Sequence, residues 1–138
     1  MKKLLLLPVL FFLFSCENEG ELTRDGLLDE TISETSVLNY TGLFLPTSGI
    51  TVTGSAKIYF ENNSYKLKLD DFSISDGPDL KVYLSRSASP SDFVTLGNLT
   101  SSTVYSIPQA VNLASYSHVL IHCQQYNHLF AIAALTQN

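Results

Sequence analysis

The chain has 138 residues, 45% of them hydrophobic, and a formal net charge of −5. This length accommodates one domain with a single sizeable core. The acidic excess excludes nucleic-acid binding, which requires a basic face that displaces counterions from phosphates. Anionic lipid headgroups would repel the same charge, so attachment to a membrane would require a covalent lipid.

The first 15 residues predict an export signal. Lys2 and Lys3 precede an apolar run at residues 4–14, which is shorter than the roughly 20 residues of a transmembrane helix. The Leu-Phe-Ser-Cys that ends the segment resembles a bacterial lipobox. This resemblance implies that Cys16 is lipidated and anchors the chain to a membrane of the cell envelope, in the periplasm or at the surface. Loss of the two lysines leaves 6 basic and 13 acidic residues, a formal charge of −7.

Residues 16–36 are predicted to form an acidic, flexible tether, and residues 37–138 a single domain. Residues 17–36 carry seven acidic side chains and one basic one, and such a segment buries too little apolar surface to offset the entropy of ordering it. With Cys16 lipidated, Cys123 is the only thiol left in an oxidising compartment. An unpaired cysteine there is either buried and inert or exposed and reactive.

Alternation of apolar and polar residues predicts β-strands in the domain. The first segment, AKIYFENNSYKLKLDDF at residues 56–72, predicts a hairpin that turns at Asn62-Asn63, because asparagine tolerates the positive φ of a tight turn. In its second arm, Leu67 and Leu69 share a face that we expect to be buried.

Five further segments predict strands: DLKVYLS (residues 79–85), DFVTLGNL (92–99), TVYSIP (103–108), HVLIHC (118–123) and LFAIAALT (129–136). The last two are almost wholly apolar, as strands covered on both faces are. Turn-forming residues separate the segments, and none shows a helical stripe. The predicted fold is all-β, a barrel-like antiparallel β-sandwich of about eight to ten short strands.

These segments together resemble one protein family, the DM-thirteen domain. The resemblance rests on LDDFSISDGPDLKVYLS, DFVTLGNL, YSIP, VNLASYSHVLIHC and LFAIAAL, and covers nearly all of the chain from about residue 41 onward. It implies an all-β sandwich with a role in electron transfer. It also implies a cysteine late in the domain, here Cys123, as the candidate redox group. The family often has an aromatic residue before that cysteine, where this chain has His122.

The histidines and the cysteine do not predict a metal site. Cys123 and His128 have the spacing of one half of a blue-copper site, which also needs a histidine from an earlier strand and usually an axial methionine. No histidine precedes His118, and the only methionine is Met1. Strand alternation places His118 and His122 on the face opposite Cys123. A zinc site lacks ligands for the same reason, so no metal or cofactor is predicted unless a second chain supplies ligands.

A reactive thiol is a separate hypothesis. Nucleophilic catalysis needs an imidazole within about 3 Å of the sulfur, and only His128 could return to Cys123 from the intervening turn. The apolar neighbours of Cys123 predict burial, which favours inert packing. Redox cycling of a single cysteine also needs access and a resolving partner.

The remaining binding candidates are Asp76, Asp79, Tyr83, Tyr126 and His128. Clustered carboxylates on a loop can hold Ca²⁺, but Asp-Gly-Pro is also a strong turn former. The two tyrosines could lie beside a cofactor supplied by another protein, although tyrosines in β-sandwiches mostly pack.

Two functions remain open from the sequence. In the first, this is a lipid-anchored accessory domain for extracytoplasmic redox chemistry through Cys123, as the family resemblance implies. In the second, it is a non-enzymatic surface module whose loops bind a glycan or an extracytoplasmic protein. The second is favoured by the lack of a complete catalytic set or metal shell in the sequence.

Overall fold

The computed structural model describes residues 31–138, which form nine β-strands and no helix. The predicted all-β class and the predicted number of strands are confirmed. None of the described residues forms a helix that is long and apolar enough to cross a membrane. The predicted export signal, Cys16 and most of the predicted tether lie outside the described residues.

The strands are β1 (Val37–Pro46), β2 (Val52–Glu61), β3 (Ser64–Ile74), β4 (Leu80–Ser85), β5 (Phe93–Asn98), β6 (Val104–Ile107), β7 (His118–Cys123), β8 (His128–Ala134) and β9 (Thr136–Gln137). They pair antiparallel in the order β5-β4-β7-β8-β1-β2-β3-β6, and β9 pairs with β1.

Strand β1 belongs to both layers of this barrel-like sheet. Its first part pairs with β2, and its last three residues pair with β8. Near the crossing, a Cβ on Gly42 would lie 2.5 Å from the carbonyl oxygen of Ala134, so only glycine lets the two backbones approach this closely. Alternation did not predict the two-residue β9, nor did it predict β1. A register shift between Leu38 and Tyr40, together with Gly42, interrupts its pattern.

The predicted hairpin is the β2–β3 pair. Asn62 and Asn63 both have positive φ, 49° and 63°, as a two-residue turn of this kind requires. Leu67 and Leu69 are buried on the inner face of β3. The alternation and the turn were therefore both predicted correctly.

The core lies between the two layers. β2 and β3 contribute residues such as Ile58 and Leu67, and β4 and β7 contribute Val82, Ile121 and Cys123. Side chains that leave water in this way provide most of the favourable free energy of folding.

The barrel is nearly closed between β5 and β6. These two strands form no ladder, but the hydroxyl of Tyr105 on β6 lies 3.2 Å from the carbonyl oxygens of both Asn98 on β5 and Ser102. We call this contact the seam.

The two ends of the barrel carry different features. At one end, the tether end, the backbone N–H of Ser33 donates a 2.7 Å hydrogen bond to the carboxylate of Glu61, beside the β2–β3 turn. β3 runs from there to the opposite end, the cleft end, which is formed by residues 74–80, 98–100 and 124–127. The described part of the predicted tether therefore joins the domain at the end away from the cleft.

Candidate functional site

Cys123 is the last residue of β7 and is 0% exposed. Its side chain lies in the core with Val119 and Ile121, which is the face that strand alternation predicts. The expected burial of this thiol is therefore observed. A reagent or a partner can therefore reach the sulfur only if part of the domain opens.

His128 faces Cys123 across the β7–β8 pair in register. It is exposed, however, and its ring packs edge-on against Phe130 at a centroid distance of 5.0 Å. The described residues include no hydrogen bond between the Cys123 thiol and His128. The pair is therefore adjacent, but it does not have the geometry of an activated nucleophile and its base.

His122 lies on the outer face of the sheet, opposite Cys123, and is 5% exposed. Its Nε2 donates a hydrogen bond to the amide oxygen of Asn127 at 3.1 Å. In the neutral ring, Nδ1 then carries no hydrogen and has a lone pair that could accept a hydrogen bond. Nδ1 is buried and has no hydrogen-bond partner among the described residues. Burial lowers the pKa of His122, although the bond to Asn127 opposes this effect. The imidazole is therefore held neutral and acts as a packed aromatic ring.

Tyr83 is the neighbour of His122 on this outer face. It is 3% exposed, its ring lies 5.5 Å from the His122 ring, and Phe93 stacks on its other side at 4.0 Å. Burial raises the pKa of the Tyr83 hydroxyl. The structure thus places Tyr83 away from the cleft, whereas Tyr126 lies on the β7–β8 turn and is 68% exposed.

Asp76 and Asp79 lie at the rim of a cleft of about 400 Å³ at the cleft end. Its apolar lining is Ile74, Pro78, Leu80 and Leu99, and its polar lining includes Asn98 and Thr100. Lys81 pairs with Asp79 at 3.0 Å and also donates to the side-chain oxygen of Asn98. The described residues place no cation within ion-pair distance of the exposed Asp76.

The cleft lies next to the buried thiol. Leu80 lines the cleft and is also the register partner of Cys123, and register partners project from the same face of a sheet. A Cβ on Gly77 would lie 2.9 Å from Leu80 and 3.0 Å from Phe130, so the loop before β4 packs directly on these two side chains. Cys123 is therefore one cross-strand neighbour away from the cleft.

Three contacts at these sites had no signal in the sequence. They are the His122–Asn127 bond across a four-residue turn, the Lys81 bridge between Asp79 and Asn98, and the bond from Ser33 to Glu61. Each joins residues whose proximity depends on strand register. In the described part of the chain, no three histidine, cysteine, aspartate or glutamate side chains are grouped so that they could hold a metal ion.

Comparison with known protein families gives a match to this chain. A family model described as Electron transfer DM13 matches residues 46–135, which contain β2 to β8, the cleft and Cys123. No curated protein and no solved structure matches the chain.

Proposed function

The chain belongs to the Electron transfer DM13 family, and from this premise we propose that it is an accessory electron-transfer domain outside the cytoplasm. The family match, which extends over most of the folded domain, carries this proposal. The membrane anchor in the proposal is a lipid on Cys16, and residues up to about 36 are the tether that connects it to the barrel.

Cys123 is the group that we propose exchanges electrons. Its position next to Leu80, and so next to the cleft, supports this role. The reaction would be thiol–disulfide exchange with a disulfide of an extracytoplasmic protein. The Cys123 thiolate forms a bond to one partner sulfur, the partner's S–S bond breaks, and the other partner sulfur leaves as a thiolate.

Burial of Cys123 favours a second candidate, a non-enzymatic module that binds a glycan or an extracytoplasmic protein. A fully buried thiol in an apolar core is inert in most proteins. In this candidate, Cys123 is a packing residue, and the exposed loops of the cleft end are the binding surface.

The rate of thiol labelling separates the two candidates. The full chain carrying Cys16→Ser has Cys123 as its one thiol, and it is treated with a disulfide reagent in increasing concentrations of urea. If the cleft end opens locally, Cys123 reacts without urea, and the rate depends on urea much less steeply than global unfolding does. Labelling that follows global unfolding alone would contradict the redox role and favour the binding module. The double variant Cys16→Ser, Cys123→Ala, which has no thiol, is the control for non-specific reaction.

A further inference from the structure

The cleft has a mixed lining, more polar than apolar, and it carries an unpaired carboxylate. Ile74, Leu80 and Leu99 supply the apolar surface, and Asp76 lies at the rim. A surface of this kind suits a side chain with a hydrocarbon stem and a cationic head, because the stem can pack on apolar groups while the head stays in water near a carboxylate.

Of the two carboxylates at the cleft, only that of Asp76 is left to bind a cationic group. Asp79 is already neutralised by Lys81, which also holds Asn98. Asp76 has no such partner among the described residues. A Ca²⁺ ion would need several free oxygen ligands, and the Lys81 ammonium already occupies two of the cleft's side-chain oxygens, those of Asp79 and Asn98. The cleft therefore favours one organic cation over a metal ion.

We infer that the cleft binds an arginine or lysine side chain of a basic partner protein. Residues 37–138 are close to neutral, with six acidic and five basic side chains, so the attraction for a cationic group at the cleft comes from Asp76 itself. The tether joins the barrel at the opposite end, so the cleft is free to face a partner. This inference deepens the proposed function. It rests on that function only where it identifies the bound protein as a redox partner.

The probe is a blocked pentapeptide, acetyl-Gly-Gly-Arg-Gly-Gly-amide, titrated into the ¹⁵N-labelled full chain and followed by amide chemical shifts. We expect saturable shifts at residues 74–80 and 98–100 that weaken as salt is raised. The matched ligand carries citrulline, which has nearly the shape of arginine without its charge. We expect this peptide to bind detectably more weakly at the same residues.

Two variants locate the charge. We expect Asp76→Asn to weaken binding of the arginine peptide by a factor of about two to five, the range for an exposed ion pair. Glu34→Gln removes the same charge at the tether end, where Glu34 is exposed, and should leave the affinity unchanged.

Three results would overturn the inference. The first is equal binding of the citrulline peptide, and the second is an equal loss in the Glu34 variant. The third is displacement of the peptide by millimolar CaCl₂ with shifts at the same residues, which would assign the cleft to a metal ion. None of these measurements involves Cys123, so failure here and failure of the redox role are distinguishable.

Discussion

At the scale of single residues, the environment of Cys123 decides how it tolerates substitution. Its fully buried position among Val119 and Ile121 offers no partner for a hydroxyl. A buried hydroxyl without a hydrogen bond costs about 1–3 kcal/mol. Cys123→Ser should therefore be less stable than Cys123→Ala by about 1 kcal/mol or more, measured by urea denaturation. Equal stability of the two variants would indicate that water or a polar group reaches this position.

The neutral, buried His122 predicts an acid-sensitive fold. Because burial lowers its pKa below the ordinary value of 6.5, the unfolded chain binds this proton more readily than the folded chain does. The free energy of unfolding should then fall as the pH is lowered below about 6.5, by at most about 1.4 kcal/mol per pH unit for this one group. The measurement is urea denaturation at a series of pH values between 7.5 and 5.

A matched pair of variants assigns that effect. His122→Phe removes the titration and keeps an aromatic ring at this buried position, and it should flatten the pH dependence above pH 5. His128→Gln removes an exposed imidazole whose charge makes only a smaller contribution to the lowered pKa of His122, so it should keep most of the dependence. The carboxylates contribute at lower pH, because the Ser33 amide and Lys66 lower the pKa of Glu61, and Lys57 lowers that of Asp70. A pH dependence that persists in the His122 variant would assign the effect to another group.

Sequence alone predicted these single residues unevenly. Alternation along β7 correctly separated Cys123 from His122, since period two is a local property of the backbone. The bond from His122 to Asn127 was not predictable in the same way. It depends on the shape of the β7–β8 turn, in which Asn127 has a positive φ of 49°, and on a register shift after Ile121.

At the scale of elements, β1 is the strand on which the two-layer arrangement depends. Gly42 lies where its backbone almost touches that of Ala134, and the atoms involved cannot move without displacing a strand. Gly42→Ala should cost about 3 kcal/mol or more, at the upper end of overpacking changes. Gly49→Ala is the control, since Gly49 has open space around it and a φ of 83° and should cost only about 1 kcal/mol.

Thermal or urea denaturation of the two glycine variants measures this difference. Equal destabilisation would mean that β1 can shift away from β8 without loss of packing.

Strand β1 also shows a limit of sequence prediction. The hairpin turn at Asn62-Asn63 was predicted from two adjacent residues, whereas β1 pairs with strands from both ends of the chain, and its interrupted pattern gave no local signal.

At the scale of the whole molecule, the seam links closure of the barrel to the cleft. Asn98 accepts a hydrogen bond from the Tyr105 hydroxyl through its backbone and binds Lys81 through its side chain. The backbone N–H of Leu99 in turn donates to Leu80 at 2.8 Å. The position of the cleft wall therefore depends on a contact between the two edge strands, which lie at opposite ends of the strand order.

Tyr105→Phe tests this dependence, since it removes one hydroxyl and keeps the packing of the ring. The lost bond should lower the free energy of unfolding by about 0.5–1.5 kcal/mol, and amide hydrogen exchange should become faster at residues 98–105 while the β2–β3 hairpin is unchanged. Tyr126→Phe, on an exposed turn, should change neither quantity. If Tyr105→Phe lowered protection throughout the barrel instead, the seam would be part of the global folding unit. Cys123 would then become accessible to a partner only when the whole domain unfolds.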